Sequence, residues 1–225
     1  TAVGYQAGAA LTGSSANTFL GYLAGNSVTQ GNNTLIGYQA GRDLGSTSNL
    51  NSGNTFIGSN AGYLAAYQTN NTYIGVNAGK GNAGNNSYSS VVIGANSASY
   101  TNQGQTHTQS VMVGADIAGS SGNQALTTLL GWGTNRFGGS GTVAVGHSAA
   151  YNAGGGNNVA IGHGATLGPY NTASSTKTLN VVVGKSTGAA LLSGGNNVFL
   201  GSYAGSLLTS GSSNVFIGDN SGGTT

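Results

Sequence analysis

Asn54-Thr55-Phe56-Ile57-Gly58 is the stretch that decides the fold, because the chain repeats it from end to end. It recurs as Asn17-Thr18-Phe19-Leu20-Gly21, Asn33-Thr34-Leu35-Ile36-Gly37, Asn197-Val198-Phe199-Leu200-Gly201 and Asn214-Val215-Phe216-Ile217-Gly218. The closing glycines stand at 4, 21, 37, 58, 75, 94, 114, 131, 146, 162, 184, 201 and 218, thirteen units 15 to 22 residues apart. A small unit of one type, repeated this often, stacks on its neighbours as a solenoid. The triplet before each glycine is β-branched or apolar, which favours a strand. The expected fold is all-β, a parallel β-solenoid of about thirteen coils, with residues 1–225 as one repeat domain belonging to a longer fibre.

Composition narrows the function. Glycine supplies 43 of 225 residues and only 4% are charged, so neither a disordered polyelectrolyte nor collagen fits. The formal net charge is +2, with no Lys/Arg cluster and hence no nucleic-acid footprint. Cysteine is absent, which excludes disulfides and thiolate metal sites. No 18-residue apolar run exists, so direct membrane insertion by a helix is not expected.

Numbering from each unit glycine, position −1 is always Val, Leu or Ile and position −3 is always Thr or Val. These two share one face of a strand, so the pattern predicts them as the solenoid interior. Position −2 points the other way and is also apolar: Ala2, Phe19, Leu35, Phe56, Tyr73, Val92, Met112, Leu129, Ala144, Ala160, Val182, Phe199 and Phe216. An outward column of this kind exceeds what a soluble monomer exposes. The expectation is axial packing, with Phe19, Leu35, Phe56, Tyr73, Val92, Met112, Leu129, Val182, Phe199 and Phe216 at a homotrimer interface. Asn at −4, in eight of twelve units, is expected to bond nearby backbone at a corner. Apolar residues at +7 (Leu11, Val28, Leu44, Leu191, Leu208) predict a short return strand.

Asn158-Val159-Ala160-Ile161-Gly162-His163-Gly164-Ala165 and Thr142-Val143-Ala144-Val145-Gly146-His147-Ser148-Ala149 resemble the head repeats of YadA-type trimeric autotransporter adhesins. The Asn54–Gly62 version is also similar to repeats in phage tail-fibre proteins. The resemblance implies a left-handed parallel β-roll with three chains packed along the axis. The units here are longer than the family's, which implies loops leaving the coil, and no neck, stalk or membrane-anchoring barrel is present in the sequence.

Chemistry is sparse. Val183-Gly184-Lys185-Ser186-Thr187 imitates the end of a P-loop, but the glycine needed five residues before Gly184 is Leu179. His147 and His163 share position +1, yet no third ligand follows in register, so no metal and no cofactor are expected. Tyr5, Tyr22 and Tyr38 share that position and should stack, a structural device that also offers rings to sugars. The Thr18, Thr34, Thr55 and Thr72 column resembles an ice-binding rank, but it is assigned to the interior with the −1 column. Trp132, Arg136 and Phe137 form an aromatic-plus-Arg group of the kind found at recognition hot spots. With Tyr5, Tyr22 and Tyr38 they are the ligand-binding candidates. Loops 42–53, 99–109 and 167–179 are further candidates. Three scattered aspartates support no general acid–base pair, so the chain is not expected to be an enzyme.

These readings converge on an extracellular fibre segment, on a virion tail fibre or a bacterial cell surface. Its expected partners are copies of itself and a surface glycan or protein receptor. A self-assembling filament without a receptor is the alternative, and an ice-binding solenoid a minor one.

Overall fold

The computed structural model describes residues 1–44, 51–64, 67–81, 86–99, 106–117, 124–134, 139–151, 154–168 and 177–222. The chain divides into two compact units, Thr1–Ser121 and Gly122–Thr225, and each is a parallel β-solenoid. Every unit glycine is preceded by its strand, from Ala2–Val3 through Thr18–Leu20 to Val215–Ile217. The register follows the repeat: Phe19 pairs with Leu35 and then Phe56 in the first unit, and Val182 with Phe199 and then Phe216 in the second. The described residues contain no helix.

The strands face the opposite way from the expectation. Position −2 is the core: Phe19, Leu35, Phe56, Val92, Met112, Leu129, Val182 and Phe199 are all 0% exposed, and Tyr73 is 1%. Positions −1 and −3 point outward, with Leu20, Ile57, Ile161 and Val111 among the exposed residues. The residues assigned to a trimer interface are therefore interior, Phe216 at the last strand being half-buried. The reason is the narrowness of the coil. The −2 side chain meets the small residue at +3 (Ala24, Ala40, Ala61, Ala78, Ala149, Ala165, Ala204) and the glycine at +4, and these fill the interior. A Cβ on Gly62 would stand 2.3 Å from the Phe56 ring, and one on Gly41 2.7 Å from Leu35. One column of large side chains fits between the walls; two do not.

The +7 residues Val28, Leu44 and Leu191 do reach the core, but outside any strand, where they plug the turn side of the coil. Return strands form elsewhere, immediately before the main strand, as Tyr67–Thr69, Asn86–Tyr88 and Thr106–Thr108 in the first unit. Their inward residues are Gln68, Ser87 and His107, all buried. Tyr73 donates its phenol to Gln68 Oε1 at 2.8 Å, so these two polar groups are paired inside the core. Burial holds the Tyr73 phenol well above the usual tyrosine range.

The unit glycine is required twice over. Gly37 has φ +133, which L side chains rarely adopt, and a Cβ there would lie 2.5 Å from the carbonyl oxygen of Gly58 in the next coil. The Asn column is the second fixture. Asn33 Nδ2 donates to Gln30 O and Gly31 O, closing its own corner as expected. It also links coils: Asn54 donates its backbone N–H and its Nδ2, both at 3.1 Å, to Asn33 Oδ1. Where Ser replaces Asn, Ser90 and Ser110 still bond Tyr88 O and Thr108 O.

Candidate functional site

With the faces assigned, three surfaces can carry function: the outward sheet face, the row at +1, and a cavity on the turn side of the second unit.

The sheet face presents two columns. In the first unit position −3 runs Thr18, Thr34, Thr55, Thr72, Val91, Val111, and position −1 runs Leu20, Ile36, Ile57, Ile74, Ile93, Val113. In the second unit Val143, Val159, Val181 and Val198 accompany Val145, Ile161, Val183 and Leu200. All of these are half-buried or exposed. The Thr column, assigned to the interior from the sequence, thus faces outward.

At +1 the expected stack forms. The rings of Tyr5 and Tyr22, and of Tyr22 and Tyr38, lie 5.4 Å apart and nearly parallel. Stacking takes both faces of Tyr22, so that ring offers a ligand only its edge. Trp132, 50% exposed, stacks on His147 at 4.7 Å, and His147 stacks on His163 at 4.8 Å. Sequence reasoning had Trp132 and the histidine pair separately and did not place them in one row. Arg136 and Phe137 lie outside the described residues. Lys185 continues the row, its ammonium 5.7 Å over the Tyr203 ring, which places the P-loop-like stretch within the repeat register. Among the described residues no group of three or more His, Cys, Asp or Glu could hold a metal ion. No described helix is long and apolar enough to cross a membrane.

The cavity was not foreseen. It measures about 190 Å³ and is lined by Ser148, Tyr151, Gly164, Thr166, Gly168, Ser186 and Ala189. It opens because the coil of Gly162 breaks the turn pattern. Position +2 is Gly164 between Ser148 and Ser186, and Thr166 stands where most coils have glycine. Those two departures were the sequence signal. Beneath it, buried Lys177 donates from Nζ to Leu167 O, and burial lowers its ammonium to about 8.

No family model matches the chain, and comparison with curated proteins and with solved structures returns no match.

Proposed function

We propose that this chain is the shaft or head of an extracellular fibre, in which copies pack side by side through the outward −3/−1 face as a homotrimer. One observation carries the reading: each solenoid unit presents an apolar face that repeats at the coil rise, roughly 4.8 Å. A surface with that period is matched along its length by another array of the same period, and a second copy supplies it. Exposed apolar area on this scale marks an association surface. The resemblance to YadA-type heads and tail-fibre repeats supports three chains, a left-handed coil, and a place on a virion or a bacterial surface. The role is to hold and present a receptor-binding surface, without catalysis.

The test is mass in solution. Sedimentation should give a trimer for the parent, and Ile57→Lys with Ile74→Lys should dissociate it while leaving the β-sheet spectrum intact. A monomeric parent overturns the reading.

A second reading has its own observation. Thr18, Thr34, Thr55 and Thr72 form an outward rank in register beside Leu20, Ile36, Ile57 and Ile74, a regular array that suits ordered water. Thermal hysteresis and ice-crystal shaping by the parent, both lost in Thr34→Lys with Thr55→Lys, would establish it. Their absence removes it.

A further inference from the structure

We propose that the cavity floored by Gly164 and Gly168 binds a single carboxylated sugar residue, one unit of an acidic glycan. The inference goes beyond the fibre reading and does not rest on it, since the cavity belongs to positions +2 to +6 of its coils and not to the sheet face.

The site is formed by backbone and hydroxyls. A Cβ on Gly164 would find only Ser186 Oγ, at 3.7 Å, so the notch between Ser148 and Ser186 is open space. Gly168, at φ +103, lays its backbone against Leu191 O and completes the floor. Ser148, Thr166 and Ser186 bring three hydroxyls, each able to donate and accept, and Tyr151 and Ala189 bring an aromatic ring and a methyl. Hydroxyls beside small apolar surface match a pyranose, whose edge is polar and whose face is not. At 190 Å³ the cavity falls below the ~300–1,000 Å³ that enclose drug-sized ligands. It therefore takes one ring, not an oligosaccharide.

Charge selects the kind of ring. His147, His163 and Lys185 immediately precede the wall residues Ser148, Gly164 and Ser186, and the two imidazoles stack at 4.8 Å. The remaining neighbour of that stack is the neutral Trp132. Lys177 lies below: a Cβ on Gly168 would stand 3.0 Å from its Nζ. The one acidic side chain among the described residues of this unit is Asp219, three coils beyond His163 in the same row, roughly 14 Å away at the strand spacing. Lys177 and Lys185 make the environment cationic, with no acidic side chain nearer than Asp219 among the described residues of this unit.

The probe is glucuronate, with glucose and inorganic sulfate beside it, titrated into the full chain by NMR. Glucuronate should bind at least tenfold more tightly than glucose or sulfate. Gly164→Asn should abolish binding. Asn occupies the same position with positive φ at Asn60, Asn77 and Asn96, so the backbone tolerates it while its side chain fills the notch. If that variant does not fold, Ser148→Ala with Ser186→Ala serves instead. Glucuronate binding no tighter than glucose or sulfate, binding unchanged by filling the notch, or no binding at all overturns the proposal. Sedimentation of the same samples reports association separately, so each reading fails on its own measurement.

Discussion

Asn197 donates twice to one oxygen of Asn180, from its backbone N–H at 3.1 Å and from Nδ2 at 2.9 Å. Asn180 in turn donates to Asn158 Oδ1, and Asn214 to Asn197 Oδ1, so each side chain joins its coil to the next. Asn180 is fully buried. Asn180→Ala removes a double acceptor and strands a buried N–H, which costs ~1–3 kcal/mol for each unsatisfied group. The urea midpoint should fall clearly, whereas Asn26→Ala, which gives up one exposed bond, should leave it unchanged. Equal midpoints would count against the linkage.

The orientation of the strands is tested by neighbours on opposite faces. Phe199→Ala empties a core position and should lose ~3–5 kcal/mol. Leu200→Thr, one residue on but outward, should change stability of the isolated chain by less than ~1 kcal/mol. The reverse order would return the interior to position −1.

Two glycines separate conformation from crowding. Gly201 has φ +132 and would set a Cβ 2.3 Å from Gly218 O, while Gly218 has φ +120 and would meet nothing within 4 Å. Gly218→Ala should cost only the backbone strain, ~1–3 kcal/mol. Gly201→Ala adds a backbone collision and should unfold its part of the stack, which hydrogen exchange at the flanking strands would report.

Lys177 gives a pH signature. Its ammonium is lowered to about 8 in the folded chain from 10.5, so above pH 8 the unfolded chain holds more protons than the folded one. Stability should therefore rise from about pH 8 towards pH 10, by at most ~3 kcal/mol. Tyr73, held protonated by burial, opposes this only above its ordinary range. Lys177→Met should flatten the rise in thermal melts. A parent whose melting point is constant or falling between pH 8 and pH 10 would exclude the buried ammonium as the cause.

The coil was legible because glycine and asparagine do jobs that few other residues can do. The strand triplets and their register can be counted in the sequence from Gly21, Gly37 and Gly58. The facing was not legible, because Thr55, Phe56 and Ile57 are all compatible with burial and strand alternation cannot choose between two apolar faces. The better clue was volume: Phe56 is the largest of the three, and Ala61 and Gly62 are the small residues that make room for it. Return strands such as Asn86–Tyr88 were hidden for the opposite reason, being polar, with an interior serine and histidine that carry no hydrophobic signal. The cavity was missed because it arises from an absence, the side chain that Gly164 lacks.

Unit glycines are 15 to 22 residues apart in sequence, yet Ile36 and Ile57, 21 residues apart, sit in the same strand register as Leu20 and Ile36, 16 apart. Chain length and rise are thus decoupled. Within each solenoid unit the molecule measures distance in coils, so lengthening a segment between glycines decorates the rod without stretching it. Only the gain or loss of a whole coil moves what lies at its far end, and it does so in steps of roughly 4.8 Å.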